Sequence, residues 1–240
     1  MPLERLYDDL MIAGLLLGVG LLLGLADRKN FRPSWLLISA GLVLLYAFIH
    51  LAAGTFIPNM PWESRWNWPA KIIATIVFLG ISLHPALGLR EVGVTLKQDR
   101  QGLRAVTPFV LLYAALFIGL ALFNPPTNAP LDTIVFQLTM PSFEEELFFR
   151  GLFLLTLYKA LEGRIKFLGV QWGWGALLAS VVFGLAHALK ISGGELSFEL
   201  VYFLATAIPA LAGVWVRLRT GSLLIPVLMH SLGNAADHII

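Results

Sequence analysis

Three consecutive acids, Glu144, Glu145 and Glu146, stand in the apolar stretch Pro141–Arg150, with Arg150 four residues beyond the last of them. An ionisable group near mid-membrane costs about 2.5–3.5 kcal/mol on insertion scales, so such residues tend to mark pathways or sites. At about 100° per residue, Glu146 and Arg150 fall about 40° apart, an i,i+4 pair on one helix face. Glu145 lies about 100° round from Glu146, and Glu144 further round again. At least one glutamate is therefore left without a local partner. The plain reading is a structural ion pair, or a helix that starts at Pro141 in a watery recess with acids in its first turn.

Two further places carry polar groups of the right kind. One apolar run closes on Phe183-Gly184-Leu185-Ala186-His187, and a later one contains His230 and Asn234 at i,i+4. Each could simply hydrogen-bond between helices, as polar side chains in membranes often do. Together with the glutamates they match a chemical need. Amide hydrolysis requires a base for water, donors for the oxyanion and an acid for the leaving amine. Glutamate with histidine can serve as base and acid, and histidine with asparagine can donate to an oxyanion. No G-x-S-x-G elbow and no H-E-x-x-H helix is present. Cysteine is absent, which removes thiolate nucleophiles and thiolate metal sites. A glutamate-activated water is the economical mechanism. His50 and His84 lie near segment ends without acidic neighbours in the sequence, and no role is assigned to them.

The elements that must position these residues are membrane helices. Of the 240 residues, 58% are apolar and only 13% charged, with mean hydropathy +0.78. A soluble chain carries about 25% charged residues, so a soluble enzyme, a disordered regulator and a nucleic-acid binder are all disfavoured. The net charge of +2 leaves no basic footprint for nucleic acid. A crossing takes about 20 apolar residues. Eight segments qualify, near 10–26, 35–57, 71–87, 105–123, 134–158, 172–188, 198–216 and 222–238. The expected fold is all-α, a polytopic membrane helical bundle of about eight transmembrane helices. Residues 1–129 would supply four N-terminal helices and 130–240 the core with the polar residues, in one integrated membrane domain.

Breaks fall at Pro33, at Pro58, Pro61 and Pro69, at Asn124-Pro125-Pro126, and at Gly193-Gly194. Trp62, Trp66 and Trp68 suit an interfacial stretch at headgroup level. Asp8 and Asp9 before the first segment, with no A-x-A site after it, mark a retained helix rather than a signal peptide. Lysines and arginines in connections 1–2, 3–4, 5–6 and 7–8 outnumber those elsewhere between segments by twelve to four, with Lys71 counted among the four. By the positive-inside rule both termini lie outside and His187 sits at the outer end of its helix.

Glu145-Glu146-x-x-x-Arg150, Phe183-x-x-x-His187 and His230-x-x-x-Asn234, in that order on successive helices, resemble the CaaX protease and bacteriocin-processing family of intramembrane proteases. Arg219-Thr220-Gly221-Ser222-Leu223-Leu224-Ile225-Pro226 is similar to that family as well. The resemblance covers about residues 130–236. It implies that Glu145 is the water-activating base and His187 its assistant, with His230 and Asn234 holding the oxyanion. Glu146 and Arg150 would support the site structurally, and Glu144 falls outside the motif. The family's expected partners are membrane lipid and a protein or peptide substrate, prenylated in the C-a-a-X branch, with no nucleic acid. The expected location is the plasma membrane of a prokaryote. No cofactor is expected. The alternative is zinc on Glu145, His187 and His230.

Two other classes compete with a protease. Buried Glu, His and Arg also make proton relays in transporters, although no repeat of broken helices is visible. A non-catalytic scaffold or immunity protein would keep the fold without using the site. One consequence of the charge count is specific: it opens the site outward, whereas a prenyl-protein protease admits substrate from the cytoplasm.

Overall fold

The computed structural model describes residues 2–240 apart from 59, 63, 125 and 126, with side chains from Leu6 onward. The break expected at Pro125-Pro126 lies outside the described residues.

Apolar runs of this length become helices because a bilayer offers no water to backbone N–H and C=O groups, which must be satisfied within each segment. Helix α1 spans Pro2–Ala26 and α2 spans Pro33–Phe56. Pro33 sits in the first turn of α2, where its missing N–H is no loss. Helix α3, Trp68–Ser82, is capped by the Asn67 side chain, which accepts from the Ala70 N–H. A single turn, α4 (Leu89–Val92), precedes α5 (Arg100–Phe123), capped in the same way by Asp99. The next rod has three parts: α6 (Leu131–Glu145), a π-helical stretch (Glu146–Phe153) and α7 (Leu154–Ala160). Helices α8 (Trp174–Ala188), α9 (Leu200–Thr220) and α10 (Leu224–Ile239) complete the bundle.

The fold is helical, with two small additions that the apolar pattern did not announce. Strand β1 (Ile165–Phe167) pairs antiparallel with β2 (Val170–Trp172), and β3 (Leu189–Ser192) with β4 (Glu195–Phe198). The break expected at Gly193-Gly194 is the two-residue turn of the second hairpin. Both glycines have positive φ, 62° and 83°, as a tight hairpin turn of matching twist requires.

Helices Leu6–Ala26, Pro33–Phe56, Arg100–Phe123 and Leu200–Thr220 are long and apolar enough to cross a membrane; Trp68–Ser82 and Trp174–Ala188 are shorter apolar helices. Among the described residues, length and composition thus meet the expectation of about eight crossings for four helices.

Hydrogen bonds between connections show which ends lie together. Arg32 N–H donates to Ala160 O at 2.8 Å, and Glu162 N–H to Asn30 O at 2.7 Å. Asp99 N–H reaches Thr220 O at 2.8 Å and Leu223 N–H reaches Gly93 O at 2.9 Å. Arg219 Nη1 donates to Gly169 O at 3.0 Å. The four basic connections therefore share one end of the bundle. At the other end Ile191 N–H donates to Asp8 Oδ1 at 2.6 Å, and Thr127 Oγ1 to Asp237 O at 2.7 Å. There too the Ser64 hydroxyl, aided by its backbone N–H at 3.0 Å, holds the Asp132 carboxyl below its ordinary range.

The tryptophan cluster turns inward more than an interfacial role requires. Trp68 is buried edge-on against Phe136, and Trp66 stacks on that ring while donating to Thr133 Oγ1 at 3.0 Å. Trp62 remains exposed. The main core surrounds the π-helical stretch, whose eight residues are all buried, and stacks Phe148 between Tyr46, Phe78 and Phe153. Lipid tails are as apolar as these rings, so packing and polar contacts rather than water exclusion hold such a core together.

Candidate active site

The rod from Leu131 to Ala160 carries the acids at its α-to-π junction. Glu144 and Glu145 end the α-helical part and Glu146 begins the π-helical one. A π stretch widens the helix and shifts the angular position of the residues beyond it, and such stretches recur at functional sites. The three glutamates at this junction point in different directions, about 100° apart as on any helix, and meet different neighbours.

Glu146 is 2% exposed. Its Oε1 lies 3.0 Å from Arg150 Nη1, the i,i+4 pair that the spacing predicts. The contact is close without hydrogen-bond alignment, since Arg150 Nη1 has no aligned acceptor. Arg150 is held in addition by the Phe183 ring, 4.2 Å from its guanidinium carbon. Gly213 of α9 lies against the guanidinium, where a Cβ would make ordinary contact, 3.5 Å from Arg150 Nε.

The same Glu146 Oε1 accepts from His230 Nδ1 at 2.9 Å. The other ring nitrogen, His230 Nε2, lies 3.8 Å from Glu145 Oε2. His230 thus stands between the two glutamates. A proton donated to Glu146 from Nδ1 leaves Nε2 facing Glu145. Glu146 is more than a partner for Arg150, because it also orients His230.

His187 closes α8. Its Nδ1 lies 2.8 Å from Phe183 O; donation to that carbonyl makes Nε2 the accepting nitrogen. The Phe183 ring separates the histidines, with centroids 4.5 Å from His187 and 6.3 Å from His230. His187, His230 and Asn234 line one recess of about 240 Å³, together with Glu146 and Arg150. Tyr113 and Phe117 of α5 and Thr206 and Gly213 of α9 form its other walls. Glu145 lies beside the recess, with its side chain 13% exposed.

Sequence reasoning missed the opposite wall. Lys71 of α3, counted among the connection residues, is half-buried inside the bundle, with its side chain 11% exposed. Its Nζ lies 2.7 Å from Glu145 Oε1 and 2.8 Å from Glu144 Oε2. Tyr46 of α2 donates to Glu144 Oε2 at 3.3 Å, and His50 Nε2 lies 3.5 Å from Glu144 Oε1. The expectation that His50 lacks an acidic neighbour is therefore wrong: the neighbour is Glu144, distant in sequence and fully buried. Tyr46 and His50 stack one turn apart, centroids 4.5 Å. A signal for Lys71 did exist. Asn67 as cap and Pro69 in the first turn place the helix start ahead of Lys71.

Among the described residues no three His, Cys, Asp or Glu side chains are grouped to hold a metal ion. Glu145, His187 and His230, the alternative zinc set, adjoin one recess without forming such a group. Glu145 Oε1 is engaged by the Lys71 ammonium and His187 Nδ1 by a backbone carbonyl.

Long apolar helices around a cluster of carboxylates, two histidines and an amide define an integral membrane protein. Residues 111–236 match the model of the family described as Type II CAAX prenyl endopeptidase Rce1-like, and the chain belongs to that family. No curated protein and no solved structure matches the chain. The match begins inside α5, earlier than residue 130, and takes in Glu145, Glu146, Arg150, His187, His230 and Asn234. Tyr46, His50 and Lys71 lie outside it.

Proposed function

We propose that this protein is an intramembrane endopeptidase that hydrolyses a peptide bond at the membrane by a metal-free mechanism. The observation that carries the reading is His230, fixed by Glu146 at 2.9 Å with its second nitrogen toward Glu145. A carboxylate that orients a histidine beside a second carboxylate is an acid–base device.

Glu145 Oε2 takes a proton from water as the water oxygen bonds to the scissile carbonyl carbon. The electron pair of the C=O bond moves to oxygen. His230, fixed through Nδ1 on Glu146, donates from Nε2 to that oxyanion, and the Asn234 amide donates beside it. Collapse of the intermediate breaks the C–N bond, and the proton returns to the leaving amine from Glu145. His187, with Nε2 as its accepting nitrogen, assists the base. Glu146 and Arg150 hold His230 and the junction in place.

The substrate class follows the family: a protein or peptide at the membrane, with a prenylated C-a-a-X terminus as the first candidate. The transporter and scaffold readings gain nothing from membership in a family of endopeptidases. The test is cleavage by purified protein in detergent of a farnesylated C-a-a-X peptide and its unprenylated counterpart, with and without chelator. Cleavage of the farnesylated peptide that survives chelation is the expected result. Activity abolished by chelator and restored by zinc overturns the metal-free mechanism, and preference for the unprenylated peptide overturns the substrate.

A further inference from the structure

The acid-rich junction faces a second wall that the hydrolytic reading does not use. Among its groups Lys71 has the most telling geometry. One ammonium lies 2.7 Å from Glu145 Oε1 and 2.8 Å from Glu144 Oε2, with its side chain 11% exposed. Glu144 has no exposure and is enclosed further by Tyr46 and His50. From the rod itself Arg150 is the cation beside the acids, and it serves Glu146; Lys159, near the rod's end, lies over the Trp35 ring. Without Lys71, Glu144 and Glu145 would be adjacent buried carboxylates with histidines as their remaining counter-charges. Buried acids in that position take up protons rather than stay ionised. A protonated Glu145 cannot act as a base.

We infer that Lys71 is a positioning residue of the active centre: it holds one carboxylate oxygen of Glu145 and leaves the other aimed toward His230. Glu144 serves as the second anchor that fixes the ammonium. The catalytic centre is thus split between the family-matched segment and helices α2 and α3. The inference rests on the assignment of Glu145 as base.

The test uses the farnesylated C-a-a-X peptide and the whole protein in detergent. Lys71→Met alone strands two carboxylates and risks loss of folding. The double variant Lys71→Met/Glu144→Gln removes the cation together with one anion, so the net buried charge is unchanged. Its kcat is expected to fall about 10²-fold, the scale of a misplaced catalytic group, with KM changed much less. Lys71→Arg, which keeps the charge, is expected to recover part of that loss. An infrared difference spectrum against a variant that also carries Glu145→Gln reads the state of Glu145 without any turnover. The protonated-carboxyl band of Glu145 should appear in the double variant and be absent from the parent. A parent-like kcat and an ionised Glu145 in the double variant overturn the role of Lys71. If Glu145→Gln itself cleaves normally, the assignment of the base fails instead.

Discussion

Glu144 and Glu145 are adjacent in the chain and meet walls of opposite character. On the α8–α10 side, His187, His230 and Asn234 line a recess of about 240 Å³. On the α2–α3 side, Tyr46, His50 and Lys71 close around Glu144, which has no exposed surface. Glu145 touches both, with Oε1 on Lys71 and Oε2 toward His230. Chemistry needs groups that can exchange partners during a reaction, whereas retention of charge in an apolar bundle needs groups that cannot. The molecule separates the two needs by helix, and one carboxylate joins them.

That contrast can be broken by moving an effect from one wall to the other. The largest expected change is in stability. Arg150→Ala leaves Glu146 buried against His230 without its cation and should destabilise the protein by about 3–5 kcal/mol. Thermal unfolding in detergent measures it; a variant as stable as the parent yet inactive makes Arg150 a participant in the reaction instead. Next comes the open wall. Asn234→Asp exchanges an amide donor for an acceptor and should lower kcat by about 10²–10³, or ~2.7–4 kcal/mol in barrier height. KM should change much less, and a normal kcat in well-folded protein would leave α10 with a packing role only.

A smaller change sharpens the closed wall. Tyr46→Phe removes the 3.3 Å hydrogen bond to Glu144. Interhelical hydrogen bonds of this kind average about 0.6 kcal/mol in membranes. The unfolding midpoint should drop slightly while kcat stays close to the parent value. A large loss of kcat with stability intact would make α2 part of the reacting wall. The smallest effect belongs away from both walls. Phe167 at the tip of the β1–β2 hairpin is exposed, and Phe167→Ser should stay within about 0.5 kcal/mol of the parent. A larger shift would mean that the Phe167 ring itself contributes to packing.

The open wall was legible in the sequence because its clues are local. Glu146 with Arg150, and His230 with Asn234, each lie at i,i+4 on one helix, and periodicity alone puts such pairs on one face. The alternation of basic and less basic connections was legible for the same reason, and the connections do gather by charge at opposite ends of the bundle. The closed wall depends on helix-to-helix contacts. Nothing local to His50 or Lys71 points to Glu144, which stands 94 and 73 residues further along the chain. Those contacts form only when α2, α3 and α6 pack together. The π-helical stretch also left no mark in the apolar pattern, since Leu147, Phe148, Phe149, Leu152 and Phe153 are buried on every side. Both hairpins were hidden inside connections, and of their turns only Gly193-Gly194 stood out.

The claim that joins the two walls is that Glu145 is the base. Glu145→Gln keeps the volume of the side chain and removes its ability to accept a proton. With folded protein at parent yield, cleavage of the farnesylated peptide should fall by at least ~10²–10⁴, the scale of general-base loss. Near-parent cleavage by that variant would contradict the account.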